Sequence, residues 1–200
     1  TKGDFDLCSP VMEAHQKCVQ GNEKIMYYLA QMVRYPYDFK QLIYSSQLVQ
    51  ADCIRSNVEH MRRARGRCMG SAYWQVNDSN PVISWSSIDY FGRWKGLHYY
   101  AKRFYAPCLI SCDDTHRKKP VLNISNERMT AFEGIVRWKL RNNKAEILQS
   151  GEKSVSVPAL TAQNVLDIDL SQELVSRTDP REKYLEYSIM ENGKVLSFGT

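Results

Sequence analysis

The sequence predicts two halves of different class: an α/β half over residues 1–106 and an all-β, immunoglobulin-like β-sandwich over residues 107–200. Three observations lead there. Apolar residues recur at helical spacing through the first half, for instance at Ile25, Tyr28, Leu29, Met32 and Val33. One short apolar stretch, residues 68–76, lies between helices and reads as a buried strand. After Pro107 short alternating runs are separated by polar turns, the spacing of a sandwich. A single parallel-type strand cannot make a sheet, so the first half reads as the last piece of a larger (β/α)8 TIM barrel.

Pro10 suits the first turn of a short helix. The stripe from Glu23 to Arg34 predicts a second helix, which Tyr35-Pro36 ends because a residue before proline avoids the α region. Asp38 is placed to cap a third, long helix. Phe39, Leu42, Ile43, Ser46, Val49 and Cys53 form its stripe, Ile54, Val58 and Met61 continue it, and Gly66 fits its end. The strand over 68–76 follows, then a loop, then a helix from Gly92 to Tyr105 with Trp94, Leu97 and Ala101 on one face. Strands are expected at residues 109–112, 121–125, 132–140, 155–157, 165–168, 184–190 and 195–198. Phe132 to Leu140 alternates, so one face is buried and one is wet. Asn192-Gly193 between two such runs is a hairpin signal.

Charged residues make up 24% and hydrophobic residues 43%, the make-up of an ordinary globular protein. No run of about eighteen apolar residues crosses a membrane. Net charge is +5, concentrated at Arg62, Arg63, Arg65 and Arg67 and at Arg117, Lys118 and Lys119. No nucleic-acid motif accompanies either cluster. The first reads as the solvated end of a helix, the second as an exposed linker. The six cysteines lack CxxC spacing and His15, His60 and His98 have no partners at ligand spacing, so neither a metal nor a cofactor is implied. Reduced, mostly buried thiols without a signal peptide fit a cytoplasmic setting. With no Met first, Thr1-Lys2-Gly3-Asp4 reads as the interior of a longer polypeptide.

Chemistry in such a barrel collects at the C-terminal ends of its strands. That directs attention to Trp74-Gln75-Val76-Asn77-Asp78 and to Trp85 beyond it. Asn77 and Asp78 can contact a ligand or cap backbone groups of the turn, and both readings stay open. Gln75 points the other way along a strand. Asp89 reads as a cap and His98 as packing.

The run Cys68-Met69-Gly70-Ser71-Ala72-Tyr73-Trp74-Gln75-Val76-Asn77-Asp78 resembles β-mannosidases of glycoside hydrolase family two. So do Pro81-Val82-Ile83-Ser84-Trp85-Ser86-Ser87-Ile88-Asp89-Tyr90 and Gly92-Arg93-Trp94-Lys95-Gly96-Leu97-His98-Tyr99-Tyr100, with Tyr44-Ser45-Ser46-Gln47 and His15-Gln16 upstream. The resemblance implies an exo-acting, retaining enzyme with a carbohydrate substrate, terminal β-mannosides. It places Trp74 as a wall of the sugar pocket, with Asn77, Asp78 and Trp85 as further substrate-binding residues. Such enzymes use two glutamates, one in an Asn-Glu motif and one in a Ser-Glu-Tyr/Phe-Gly-like motif. No Glu here stands in such a context and neither role is carried over, so no catalytic residue is expected within the chain, which reads as cut at both ends. The alternative is a non-catalytic carbohydrate-binding or interaction module built on the β half. Its aromatics Phe132, Trp138, Tyr184 and Tyr187 alternate as core residues do, which argues against a sugar platform.

Overall fold

The computed structural model describes residues 2–176 and 178–200. They group into two compact units, residues 2–57 with 72–102, and residues 58–71 with 103–176 and 178–200.

The first unit is helical and rich in loops. Helix α1 (Pro10–His15) starts where Ser9 Oγ accepts the Met12 N–H at 3.2 Å, with Pro10 at the first position. Helix α2 (Gly21–Met32) begins two residues earlier than its apolar stripe. Asn22 explains the early start. Its amide is 5% exposed, donates to the Leu7 carbonyl and Glu13 Oε1, and accepts from Gln16 Nε2. Asp38 Oδ1 accepts from Gln41 N at 2.8 Å and opens α3 (Phe39–Arg63), while Gly66, at φ +98°, follows its end.

Residues 68–76 do not form the expected strand. The backbone there is irregular, and Asn77 makes only an isolated parallel bridge to Ile88. A strand exists through its ladder, and no described residue pairs with 68–76 in one. Helix α4 (Gly96–Phe104) starts four residues later than expected. Asp89 ties Phe91 N and Arg93 N into a turn, both at 2.9 Å, and so delays it. Trp94 therefore precedes the helix and is half-exposed instead of lying on a buried face.

The second unit is the sandwich. One antiparallel sheet has the order β1-β2-β5 and the other β4-β3-β6-β7. The strands are β1 (Cys108–Asp113), β2 (Val121–Asn126), β3 (Phe132–Asn142), β4 (Ile147–Val157), β5 (Thr161–Asp167), β6 (Lys183–Glu191) and β7 (Lys194–Gly199). A short helix, α5 (Asp179–Glu182), precedes β6. Ile110, Leu122 and Ile124 of the first sheet share one core with Phe132, Val136, Trp138, Leu140 and Ile189 of the second. Each large apolar side chain buried this way contributes roughly 1.5–3 kcal/mol. At Gly134 an added Cβ would fall 2.1 Å from the Met190 carbonyl, so β3 and β6 require a bare position there. The β6–β7 turn has Asn192 at φ +51° and Gly193 at φ +76°, the paired positive values of a type I′ hairpin.

Four expectations are corrected in this unit. Strand β4 begins at Ile147, not 155, and β5 covers Thr161–Asp167 instead of 165–168. Tyr184 is 40% exposed, outside the core that holds Phe132, Trp138 and Tyr187. Arg62 is not solvated: its side chain is 6% exposed, and Nη1 donates to the Phe104 carbonyl. Arg117, Lys118 and Lys119 are exposed.

All six cysteines are free, but only Cys108 is buried, against the expectation of mostly buried thiols. Burial pushes the Cys108 thiol up to about 11 and the half-buried Cys112 thiol up to about 12, with Asp114 adding to the latter. Among the described residues no helix is long and apolar enough to cross a membrane.

Candidate functional site

Residues 73–98 of the first unit form a knot of short hydrogen-bonded crossings. Ser87 N donates to the Gln75 carbonyl at 3.0 Å, and Ile88 N donates to the Val76 carbonyl at 2.7 Å. Lys95 N donates back to the Ser87 carbonyl at 2.9 Å, and Ile88 bridges Trp94 in antiparallel sense. These crossings replace the missing ladder: each carries one or two bonds, which suits a segment dense in Ser, Asn and Asp.

The four residues expected to bind substrate occupy different depths. Trp74 projects, with 75% of its surface exposed, and its peptide bond to Gln75 is cis. The residues beside it are held, since Tyr73 Oη lies 2.9 Å from Ser87 Oγ and Gln75 Nε2 donates to the Asn77 carbonyl at 2.8 Å. Asn77 is exposed next to Ile88. Trp85 is 39% exposed, and its carbonyl accepts from Gln50 Nε2 of α3 at 2.8 Å.

Asp78 lies beneath them, 6% exposed. Its Oδ1 accepts from Ser84 Oγ and its Oδ2 from Ser86 Oγ, each at 2.6 Å, and Lys95 Nζ stands 3.3 Å from Oδ2. Burial alone would raise this carboxyl. The bonds from Ser84 and Ser86 and the charge of Lys95 outweigh burial and hold Asp78 below the usual carboxylate range. The folded pKa is thus depressed, so the stability it contributes is present above the unfolded pKa and is lost as pH falls through the folded one. The cluster is expected to stay closed from neutral pH to about pH 4 and to open only in stronger acid. Iodide quenching of Trp85 fluorescence, taken as the difference from Trp85→Phe, checks this; opening near pH 6 would contradict it.

Several residues here were not legible as site elements. Lys95, Ser84, Ser86 and Gln50 all reach Asp78 or Trp85 across the fold, and no spacing rule links positions 17 or 35 residues apart. Trp94 packs on His98 at 4.4 Å between ring centroids and on Tyr99 at 5.2 Å. His98 Nδ1 lies 3.1 Å from Ser87 Oγ, so the ring is a packed member of the knot. Asp89 caps its turn and pairs with Arg93 Nε at 2.6 Å.

Residues 119–200 match the family model described as Mannosidase Ig/CBM-like domain. β-Mannosidase from Bos taurus is 36% identical over 119 residues, which cover 53% of this chain and 14% of that protein. β-Mannosidase A from an Aspergillus fumigatus strain is 29% identical over 175 residues, covering 79% of the chain and 18% of the relative. The chain is thus β-mannosidase-like in sequence. The crystal structure of β-D-mannosidase from Dictyoglomus thermophilum superposes with a TM-score of 0.88 at 23% identity, over 98% of this chain and 23% of that one. The β-mannosidase-like chain thus shares its fold with that part of a larger molecule, and it spans less than a fifth of the two curated relatives.

Proposed function

We propose that this chain forms part of a retaining exo-glycoside hydrolase that removes terminal β-mannose residues. In this reading the helical unit is completed as a (β/α)8 barrel by polypeptide outside these 200 residues. Retention requires two carboxyls about 5 Å apart across the glycosidic bond. In this reading no Glu of the 200 residues takes either role, so both carboxylates come from outside them and the residues alone do not hydrolyse a mannoside. Trp74, Asn77 and Trp85 lie on the substrate side, with Asp78 beneath.

The observation that carries this reading is the exposed Trp74 indole, 75% accessible, on backbone fixed on both sides. A large ring left in water on an anchored segment is suited to cover the apolar face of a pyranose and to donate its N–H. Trp74→Ala in the full-length polypeptide is expected to lower kcat/KM for an aryl β-mannoside about tenfold or more, roughly 1.4 kcal/mol of lost transition-state binding. Because the ring is exposed, urea unfolding should be unchanged. Unaltered kinetics would remove Trp74 from the site and this reading with it.

A further inference from the structure

We infer that the buried Asp78–Lys95 pair is a positioning device for Trp85, acting on substrate through that indole and not by touching the sugar. The inference rests on the glycosidase reading above. One carboxylate grips the residues on both sides of Trp85: Ser84 Oγ donates to Oδ1 and Ser86 Oγ to Oδ2, each at 2.6 Å. Tying positions i and i+2 to the two ends of one rigid group fixes the backbone of the residue between them. Lys95 Nζ then locks the arrangement. It donates to Ser86 Oγ at 2.7 Å and stands 3.3 Å from both Ser84 Oγ and Asp78 Oδ2. A third tether comes from α3, where Gln50 Nε2 holds the Trp85 carbonyl at 2.8 Å.

The burial profile points the same way. Asp78 is 2% and Lys95 14% exposed at the side chain, and Ser86 is fully buried, while Trp85 between the two serines keeps 39% of its surface in water. A buried ion pair is a poor way to gain stability, because desolvation offsets much of the attraction and apolar packing often does as well. What such a pair does supply is a fixed geometry. Both carboxylate oxygens accept within the cluster and the side chain is 2% exposed, so Asp78 presents no open face to a sugar hydroxyl. A cluster this deep that ends in one exposed indole is suited to hold that indole ready for a ligand.

The test is a double-mutant cycle in the full-length polypeptide, with an aryl β-mannoside as substrate. Asp78→Asn and Lys95→Met are each expected to raise KM severalfold with a smaller change in kcat. Trp85→Ala should give the same pattern, and Asp78→Asn/Trp85→Ala should be no worse than Trp85→Ala alone. Iodide quenching attributable to Trp85 should rise in Asp78→Asn. Additive effects in the cycle would overturn the inference, as would an Asp78→Asn enzyme with unchanged KM and unchanged quenching. Ser86→Ala, which removes one arm without unpairing a charge, carries the same cycle if Asp78→Asn does not fold. Trp74→Ala separates the two readings. If it lowers kcat/KM while the Trp85 and Asp78 variants do not, the glycosidase reading stands and the positioning role falls.

Discussion

Phe132→Ala is expected to destabilise the sandwich by about 3–5 kcal/mol. The ring is fully buried at the start of β3 and belongs to the core shared by both sheets. It lies over Gly134, where an added Cβ would come within 2.7 Å of Phe132 Cζ. Arg128 stands 5.7 Å above its face while holding Glu191 through two bonds of 2.9 Å. The walls of the resulting cavity are thus held by a strand ladder and an ion pair, and they cannot collapse freely. Domain stabilities are only about 5–15 kcal/mol, so this single change removes a large share. Urea unfolding followed at the strand signal measures it, with amide exchange in β2 and β3 confining the effect to this unit. A loss below about 1 kcal/mol would mean that the ring is not a core element.

The second large effect concerns Arg62 and Glu127. Burial lowers the Arg62 pKa and Glu127 acts against that shift. The two groups approach to 3.2 Å at Nε, although the angle is too poor for a hydrogen bond there. Glu127→Gln leaves a guanidinium charge in a nearly dry site. For a fully buried pair such a loss costs about 3–5 kcal/mol; Glu127 is 44% exposed, and water screening reduces the expected cost to about 2 kcal/mol. Arg62→Met removes the charge together with the need for a partner and loses chiefly the bond to the Phe104 carbonyl, about 1 kcal/mol. Paired urea titrations should therefore rank Glu127→Gln as the more damaging. The opposite order would show that the site favours the cation even without its counter-ion.

Local chemistry was legible where one residue type decides the outcome. Asp38 and Gly66 mark the two ends of α3 because a cap and a left-handed position each demand particular residues. Asn192-Gly193 marks its hairpin for the same reason. The alternation of β3 showed because one face meets a core. Residues 68–76 misled because an apolar run indicates burial but not the presence of a pairing partner. Arg62 misled because charge says nothing of what later chain folds over a helix end. Within the site, the two tryptophans stood out by residue type. The Asp78–Lys95 pair did not, since tertiary folding alone brings those groups together.

The stretch of β4 before Val155 escaped notice because both of its faces are polar, from Gln149 through Ser154. Strand β4 is also one of the two outer strands of the four-stranded sheet. An open strand margin is a template on which another chain can add, the first step toward fibrous aggregates. Here that margin carries Glu152, paired with Arg137 at 3.0 Å, and Lys153, whose ammonium reaches the Val165 carbonyl. An incoming strand would have to strip water from these charges along its whole length. The charges on β4 thus work against strand addition at a margin whose own hydrogen-bonding pattern would otherwise invite it.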